Sequence, residues 1–507
     1  MDRRKFLGGM LAAAPAIVRA QSAIPKAEQG AMTGDVMPSR AIVWSRASQP
    51  SRMIVTWRTA ERGEPRRITG PDCLSGSDFT GRVELAGLPP GQTILYDVTF
   101  EDLNRRGMVS EPLRGIFRTP LASASKGVRF FWSGDTVGQG WGINPEWGGL
   151  RIYESMRKLK PDFFLHSGDT VYADGVLKAE VPLGDGKIWK NIVTEAKSKV
   201  AETLDEFRGQ YKYNLLDENL RRFHAEVPQL WQWDDHEVLN NWSPGKDLSR
   251  NLAYTEKNIA VLAARAAKAF HEYAPVTPQS EEQQRVYRKV SYGPLLDVFV
   301  IDMRTYRAAN SFNRQKEEGS ETVYLGKPQI KWLQDGLKQS KAVWKVIASD
   351  MPLGLIVGDG VDEQNRKRFE NSANGDGPAL GRELEIASVL RFIKTNSIHN
   401  IIWLTADVHY TSANHFHPDR AKFKDFLPFW EFISGPLHAG ASAPGKTDNT
   451  FGVEVKYKNA PPKSLGPYHG YQFFGEVDID VDGRMMVTLR DIDGQGLFST
   501  ELMPVKI

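Results

Sequence analysis

Hydrophobic and polar positions alternate in different ways on the two sides of residue 122. From residue 25 to residue 120, short apolar runs are separated by turn residues, and this pattern predicts β-strands. From residue 126 to residue 507, strand-like apolar runs alternate with stretches whose apolar residues recur at helical spacing, which predicts an α/β fold. We therefore expect two domains, 25–120 and 126–507, joined by a linker that contains Ser and Ala.

The first region contains several runs of β-branched and aromatic residues, among them Ala41–Trp44 and Met53–Trp57. A turn at Leu88–Gly91 leads into the alternating run Tyr96–Phe100, and a tyrosine in this place resembles the tyrosine corner of immunoglobulin-like sandwiches. The pattern predicts a small immunoglobulin- or fibronectin-like β-sandwich over residues 25–120. We find no catalytic constellation in this region and expect it to have a packing or gating role.

Three elements of the second region are especially clear. An Ala-rich helix is predicted over Ala253–Tyr273, and another helix over Lys327–Gln339. Two apolar runs, 476–480 and 485–489, flank an Asp-Gly dipeptide and predict a β-hairpin.

The composition is that of a folded protein, with 41% hydrophobic and 25% charged residues. The 65 Lys and Arg residues exceed the 62 Asp and Glu residues by three, and the first twenty residues alone contain this surplus. The rest of the chain is neutral, which removes the electrostatic basis for a specific nucleic-acid partner or an anionic membrane surface. The single cysteine, Cys73, excludes an intrachain disulfide and a cysteine zinc cluster.

Residues 1–20 have the pattern of an export signal, with a basic start, a short apolar run and small residues near its end. The Arg3–Arg4 pair resembles a twin-arginine signal, which the twin-arginine translocase recognises; a Sec signal or a chance basic N-terminus are the alternatives. The mature chain is then expected to begin near Gln21, in a bacterial periplasm or outside the cell. No later run of apolar residues is long enough to predict a membrane span in the mature chain.

Five apolar runs end in acidic residues, and this is the strongest chemical signal in the sequence. Ligands bind at the carboxyl ends of strands in α/β sheets, so these residues are candidates for one shared site. Converging carboxylates repel one another and a bound cation relieves the repulsion, so the pattern predicts a site for hard metal ions. The strand ends in question are Asp135, Asp169, Asp234–Glu237, Asp302 and Asp407–His409.

The donor types leave the identity of the metal open. Asp oxygens predominate, with one tyrosine, Tyr172, and one or two histidines, while Cys73 lies in the other region. A phenolate suits Fe(III), whereas an Asp-rich, His-poor set suits Ca(II), Mg(II) or Mn(II) better than zinc. An oxygen-rich site with more than one metal favours phosphoryl chemistry.

Four sequence blocks resemble those of a known family. Gly168–Tyr172 resembles the G-D-x-x-Y block of metallophosphoesterases, and Trp233–Asn241, Asp302–Arg307 and Asp407–His409 are more particular. In this order they are similar to the PhoD-type alkaline phosphatases, over nearly the whole mature chain. The resemblance implies a four-layer αββα metallophosphoesterase sandwich over 126–507 and a secreted alkaline phosphatase, which is a phosphoric ester hydrolase.

The resemblance also implies a site that holds Fe(III) together with Ca(II), in which other hard ions such as Mn(II) and Mg(II) can substitute. Asp169 is implied to bridge two metals, and Tyr172 and His409 to bind the iron. One departure matters: PhoD-type enzymes often have a Cys ligand after the first core strand, where this chain has Asp135. We expect Asp135 to replace the thiolate, since the wider metallophosphoesterase superfamily uses Asp in that block.

The second cation is implied to bind Asp235 and Asp407. Many metallophosphoesterases have Asn and His at these two places, so this site is more anionic. Asn241 or Asp234 is a further candidate ligand of a calcium ion, and the spacing leaves the choice between them open.

The implied reaction is in-line attack of a metal-activated hydroxide on the phosphorus of small phosphate monoesters, and of diesters as well. His236 is expected to hydrogen-bond the phosphate or to protonate the leaving group. Arg304 is expected to clamp a phosphate oxygen, with a buried ion pair as the alternative. Two other functions stay open: a phosphodiesterase or phospholipase-D-like hydrolase, and a non-catalytic periplasmic protein that binds metal or phosphate.

Two segments and several histidines stay open at the level of the sequence. The glycine-rich stretch 138–142 is either a loop over the site or a surface turn, and the polar segment Asp359–Asp376 is either a lid or a surface loop. The histidines without a decisive pattern include His166, His415, His417 and His438.

Overall fold

The computed structural model describes residues 24–506, apart from residues 62, 124–125, 280–281 and 283. The predicted export signal therefore lies outside the described residues. Within the described part of the chain, none of the helices combines the length and the hydrophobicity that crossing a bilayer requires.

The larger of two extended sheets has nine strands. Three adjacent strands, beginning at Val128, Phe163 and Gln229, run parallel, so their carboxyl ends lie at one edge. In spatial order the strands are Gly496–Leu502, Met485–Asp491, Phe473–Ile479, Val128–Ser133, Phe163–Ser167, Gln229–Gln232, Ala31–Met37, Arg40–Arg46 and Thr80–Ala86.

The second extended sheet has seven strands. Four neighbouring strands are parallel, again with their carboxyl ends at one edge. In spatial order the strands are Arg288–Ser291, Leu296–Val300, Trp344–Ala348, Ile401–Thr405, Phe429–Ile433, Thr411–Phe416 and Val453–Asn459.

The two sheets pack against each other through a layer of buried hydrophobic side chains. The alternation in Val128–Ser133 produces this layer: Phe130 and Trp132 lie between the sheets, and Phe131 belongs to the apolar cluster on the other face. Trp132 Nε1 donates a hydrogen bond to Thr405 O at 3.3 Å. This bond joins the carboxyl end of a strand in one sheet to that of a strand in the other, so the acidic strand ends meet.

Helices lie on the outer faces of both sheets. Four helices share an apolar cluster with the nine-stranded sheet, and two share one with the seven-stranded sheet. In the described residues the α-helices are Arg151–Leu159, Leu204–Asn214, Glu218–Glu226, Ile259–Tyr273, Lys327–Gln339 and Glu383–Thr395.

The observed helices match the sequence pattern except at one end. The helix Lys327–Gln339 has the predicted bounds. The Ala-rich helix is shorter than predicted and begins at Ile259, because Asn258 caps it by accepting the Ala260 N–H at 3.0 Å. The predicted hairpin with its Asp-Gly turn is present near the carboxyl end of the chain.

Residues 25–120 form two layers of strands around their own apolar cluster. One layer is the end of the nine-stranded sheet, and Gly34 in that layer pairs with Gln229 of the second region. The other layer is a separate antiparallel sheet, so the predicted strands are present but the first region shares a sheet with the second. In spatial order the strands of the separate sheet are Arg66–Cys73, Ser51–Thr59, Thr93–Asp102 and Leu113–Arg118.

The tyrosine corner predicted at Tyr96 does not form among the described residues. Tyr96 lies opposite Gly115 on the neighbouring strand, and a Cβ on Gly115 would come within 2.1 Å of the tyrosine ring. The buried Tyr96 hydroxyl has no hydrogen-bond partner in the described part of the chain. The hydrogen bond that defines the motif is thus missing, and the tyrosine packs over a glycine instead.

Three small two-stranded sheets lie in the connections between the larger elements. One of them falls in the polar segment Asp359–Asp376, so part of that segment is an ordered hairpin. The strand pairs are Glu180–Pro182 with Ile188–Lys190, Leu355–Ile356 with Lys446–Thr447, and Gly358–Val361 with Lys367–Phe369.

Candidate active site

Acidic residues from four of the five predicted strand ends converge where the two sheets meet, and each enters the site from a turn directly after a parallel strand. The fifth, Asp302, belongs to none of the candidate metal-binding groups in the described residues. Its carboxylate instead accepts the N–H groups of Arg304 and Thr305 in its own turn. Four residues of these turns have left-handed backbone conformations, with φ of 69° at Asp135, 52° at Asp169, 66° at Asp407 and 60° at His409. Such conformations are unfavourable for residues other than glycine and concentrate at functional sites.

The first group of candidate ligands consists of Asp135, Asp169 and His409, whose donor atoms all lie within 4.8 Å of one another. His409 Nε2 lies 3.5 Å from Asp135 Oδ1 and 2.9 Å from the hydroxyl oxygen of Tyr172. Both carboxylate oxygens of Asp135 are buried, and neither has a hydrogen-bond partner among the described residues. Since an unpaired buried carboxylate is costly, this geometry indicates a place for a cation.

The backbone orients the His409 ring for ligation. His409 Nδ1 donates a hydrogen bond to Gly440 O at 2.5 Å, which leaves Nε2 with its lone pair toward Asp135 and Tyr172. Burial lowers the pKa of His409 to about 4. The ring is therefore neutral at pH 7, the form that binds a metal.

Two further groups adjoin the first. Asp169 with Asp235 and His236 is one, and Asp234 with Asp235 and Asp407 is the other, again with donor atoms within 4.8 Å of one another. Because Asp169 and Asp235 each belong to two groups, the three groups of donor atoms adjoin one another across the site. Asp235 Oδ2 accepts the Asn241 N–H, and the buried Asp235 Oδ1 has no hydrogen-bond partner among the residues described.

Arg304 lies in the second half of the site, and none of its side chain is exposed. Its nitrogens lie 2.5 Å from Asp234, 2.5 Å from Glu370, 3.0 Å from Asp350 and 3.4 Å from Asp407. Each guanidinium nitrogen thus faces a protein carboxylate and none reaches solvent. The geometry favours the buried-ion-pair role for Arg304 over the phosphate clamp.

Asp235 differs from the other buried aspartates of the site in its electrostatics. Burial and the charge of Asp235 raise the pKa values of Asp135 and Asp169 well above their usual range, although His236 opposes the shift. Burial raises the pKa values of Asp234 and Asp407 in the same direction, although Arg304 opposes it. Burial also favours the neutral form of Asp235, but there His236 and Arg304 prevail and hold the pKa below its usual range.

His236 connects the two halves. Its backbone N–H donates to Asp169 Oδ1 at 3.0 Å, and its imidazole ring stacks on the Tyr172 ring with the two centroids 4.2 Å apart. Its Nδ1 donates to Asp174 Oδ1 at 2.6 Å. Burial alone would lower the pKa of His236, but the carboxylates of Asp174, Asp235 and Asp169 raise it well above its usual value. Without a bound cation, these carboxylates therefore favour the protonated ring.

The loop after Asp135 is supported on two sides. Gly138 lies so close to Tyr172 that a Cβ would come within 2.4 Å of the ring, so the glycine-rich loop covers a site residue. On the other side, His438 O accepts the N–H groups of Val137 and Gly138 at 2.7 and 3.1 Å. His438 thus supports the site through its backbone.

Sequence reasoning misses three acidic residues of the site, Asp350, Asp174 and Glu370, and assigns no role to Glu237. Asp350 follows the strand Trp344–Ala348 and has the same strand-end signal as the predicted residues. Glu237 fixes the turns, since it accepts the N–H groups of Thr170 at 2.6 Å and Asp234 at 2.9 Å. Asp174 and Glu370 lie outside the regular strands and helices, and no local pattern marks them.

The other histidines have no place in the metal-binding groups. His415 and His417 belong to none of these groups in the described residues, and the His415 ring packs on Trp430 with the centroids 4.9 Å apart. His166 Nε2 shares a hydrogen bond of 3.1 Å with Thr136 Oγ1, so it supports the loop of the first acidic residue.

The fold and the site together define an α/β protein with acidic groups that could hold metal ions. The family model of the PhoD-like phosphatases matches residues 130–489, and the model of the N-terminal domain of PhoD-like phosphatases matches residues 12–121. The chain belongs to the PhoD-like phosphatase family.

Individual relatives agree with this assignment. Alkaline phosphatase D of Bacillus subtilis (strain 168) is 26% identical over 475 residues, which cover 87% of this chain and 74% of that protein. A solved structure of PhoD has a TM-score of 0.67 at 20% identity and covers 96% of this chain and 94% of its own. A purple acid phosphatase from yellow lupin (Lupinus luteus) seeds has a TM-score of 0.53 at 13% identity and covers 93% of this chain and 73% of its own. At these identities the two structures show the fold alone.

The matches confirm the predicted PhoD-type family and the predicted enzyme class, an alkaline phosphatase. The described residues also contain the acidic and histidine groups that a metal-dependent enzyme needs. The domain boundaries and the roles of single site residues stay predictions.

Proposed function

We propose that this protein is an exported, metal-dependent phosphatase that hydrolyses small phosphate monoesters and also accepts diesters. The main observation is that one site contains both the unpaired buried carboxylate of Asp135 and a histidine, His236, that Asp174 holds in place at 2.6 Å. The first offers a place for a cation, and the second is the proposed proton donor. Membership of the family supplies the reaction class.

The donor set fits the proposed ions. Fe(III) is proposed on carboxylate, phenol and imidazole donors, and Ca(II) on carboxylate and amide oxygens, with Mn(II) or Mg(II) as substitutes. When bound, such ions supply an activated water and neutralise phosphate oxygens. The proposed iron ligands are Asp135, Asp169, Tyr172 and His409, and the proposed calcium ligands are Asp169, Asp235, Asp407 and Asn241.

Asp135 and Tyr172 suit a strongly polarising ion. Burial, together with neighbouring carboxylates, raises the pKa of Tyr172 well above its usual value. The phenolate therefore forms only when a cation lies beside it. The carboxylate of Asp135 is a harder donor than the thiolate that PhoD-type enzymes often have at this place, which favours a hard ion.

His236 is proposed as the proton donor to the leaving group. The hydrogen bond from Nδ1 to Asp174 and the stack on Tyr172 hold the ring, and Nε2 remains as the second N–H of the cation. A positioned proton donor contributes about 10²–10⁴-fold to the rate of ester hydrolysis.

The substrate is proposed to enter beside His236 and Asp407. Their side chains are 15% and 12% exposed, whereas those of Asp135 and His409 are 1% and 6% exposed. Arg304 has no exposed surface on this path, so we assign it to the carboxylates and not to the phosphate.

Export is proposed to follow the twin-arginine route and to place the protein in the periplasm or outside the cell. The support for this step is the Arg3–Arg4 pair before a short apolar run. That route carries folded proteins, so metal ions can be bound before export.

Initial rates with p-nitrophenyl phosphate and bis-p-nitrophenyl phosphate at alkaline pH test the proposed activity. The protein is purified with its native metals, and its metal content is measured on the same preparation. We expect faster hydrolysis of the monoester. Faster hydrolysis of the diester would instead indicate a phosphodiesterase or phospholipase-D-like enzyme, and no hydrolysis by metal-loaded protein would indicate a binding protein.

A further inference from the structure

The hairpin of the polar segment contains a residue, Asp359, that contacts the site but has no role in the proposed reaction. Asp359 lies in the strand Gly358–Val361, which pairs with Lys367–Phe369. Only 13% of its side chain is exposed. Its two carboxylate oxygens bind two different asparagine side chains, and these contacts define its role.

The first contact fixes the Asn241 side chain. Asn241 Nδ2 donates to Asp359 Oδ1 at 2.8 Å. An ionised carboxylate only accepts hydrogen bonds, so this contact sets the amide with Nδ2 on Asp359 and leaves Oδ1 as the acceptor. The Asn241 N–H meanwhile donates to Asp235 Oδ2. Asn241 is therefore held beside a candidate cation ligand.

The second contact fixes Asp359 itself. Asn310 Nδ2 donates to Asp359 Oδ2 at 2.9 Å. The opposite end of that amide, Asn310 Oδ1, accepts hydrogen bonds from the buried guanidinium groups of Arg307 and Arg382. Since guanidinium groups only donate, the Asn310 amide has one orientation and presents a donor to Asp359.

Both candidate calcium ligands keep an oxygen without a hydrogen-bond partner. Asp234 Oδ1 lies 2.5 Å from Arg304, while its buried Oδ2 has no partner among the described residues, so Asp234 also stays a candidate. The side-chain oxygen of Asn241, Oδ1, accepts no hydrogen bond from the described residues. Amide oxygens are common calcium ligands in proteins.

We propose that Asp359 is a positioning residue that holds Asn241 so that its amide oxygen is offered to the cation at Asp235. This inference rests on the proposed function, because the cation belongs to the proposed metal site. It gives the polar segment a part in cation binding, through the hairpin that holds Asp359.

Calcium binding by single and double variants tests this proposal. The purified protein is freed of calcium with a chelator, and its Kd for Ca²⁺ is measured by calorimetry. We expect Asp359→Ala to weaken Ca²⁺ binding about tenfold, as loss of a residue that orients a metal ligand does. Because Asp359 acts through Asn241, the double variant with Asn241→Ala should bind no more weakly than Asn241→Ala alone.

Asp362→Ala is the matched control. Asp362 belongs to the same hairpin, and its side chain bonds Arg366 within the turn. Its loss should leave the Kd for Ca²⁺ and the rate of ester hydrolysis unchanged. If Asp359→Ala does not fold, Asp359→Asn replaces it, since an amide no longer dictates the orientation of its neighbour.

An unchanged Kd in a folded Asp359 variant would overturn the proposal, and so would an equal further loss in the Asn241→Ala background. Ester hydrolysis by the unmodified protein tests the proposed phosphatase activity separately from the role of Asp359. If the unmodified protein hydrolyses no ester but Asp359 and Asn241 still act together on the Kd for Ca²⁺, the proposed function is wrong and the positioning role stands.

Discussion

The two halves of the site surround their buried aspartates differently. Asp135 and Asp234 are each 1% exposed. Both oxygens of Asp135 lack a hydrogen-bond partner among the described residues, whereas Asp234 has one such oxygen and its other oxygen lies 2.5 Å from Arg304. In the first half a bound cation would supply the compensating charge, and in the second half one guanidinium supplies part of it. Burial at a strand end therefore does not by itself identify a metal ligand, and the partners of each carboxylate oxygen have to be compared.

The largest effect is expected at His236, where the two halves meet. His236→Gln should lower kcat for the monoester by about 10²–10⁴-fold, because the proton donor is lost. Steady-state kinetics of metal-loaded protein measure this. His417→Gln, which lies outside the metal-binding groups, is the control and should keep full activity. A loss below tenfold would mean that another group protonates the leaving group.

The second prediction concerns the arginine that distinguishes the halves. Arg304→Met should lower the free energy of unfolding by about 3–5 kcal/mol, because it leaves buried carboxylates without their partner. Arg391→Met is the control, since Arg391 forms a pair of 2.9 Å with Asp425 but its side chain is 55% exposed. We expect that control to cost less than about 1 kcal/mol. Equal losses in urea unfolding would contradict the contrast between the halves.

The third prediction concerns the residue that holds His236. Asp174→Asn should lower kcat by about ten- to a hundredfold, as the loss of a carboxylate that orients a histidine does. The variant also removes a charge that raises the pKa of His236. The alkaline limb of the pH–rate profile should therefore move to lower pH. An unchanged profile would show that the limb belongs to another group; Asp185→Asn, in an exposed turn, serves as the control.

The smallest effect is a release of protons on metal binding. Burial raises the pKa values of Asp135, Asp169 and Tyr172 when no cation is present, so these groups favour their protonated forms. Adding Mn²⁺ to chelator-treated protein at neutral pH should therefore release protons, measured in a weakly buffered solution. Asp135→Asn should reduce the release. No release would mean that these carboxylates are already ionised.

The same shifts predict how the stability of the metal-free protein depends on pH. A carboxyl group whose pKa is raised on folding binds more protons in the native state than in the unfolded state. The metal-free protein should thus lose stability as the pH rises from about 4 through the folded pKa values. Thermal unfolding with and without metal should show the difference, with the metal-loaded protein least affected.

Local pattern was sufficient for the parts of the site that follow strands. Asp169, Asp235 and Asp407 come after parallel strands, and parallel strands bring their carboxyl ends to one edge. Glu370 is different: it reaches Arg304 across 66 positions of sequence, from a segment without regular periodicity. Such a contact depends on how a hairpin folds back, which no short window of sequence encodes.

The same limit applies to the fold. Alternating residues predicted the strand around Tyr96, but the hydrogen bond of a tyrosine corner depends on a partner elsewhere, and none is present among the described residues. Likewise, Ala41–Trp44 and Met53–Trp57 predicted strands of the first region from local pattern. The continuation of that region into the sheet of the second region depends on a pairing between Gly34 and Gln229, far apart in sequence.

That shared sheet has a consequence for recombination between relatives. The two regions meet at Gly34, where a Cβ would come within 2.2 Å of Pro275 O, so the junction accepts only glycine. Cutting the first region away would leave the strand Gln229–Gln232 as an open edge, ready to pair with other chains. An exchange of N-terminal regions among family members must therefore carry both sides of the junction, because the first region supplies three of the nine strands of the shared sheet.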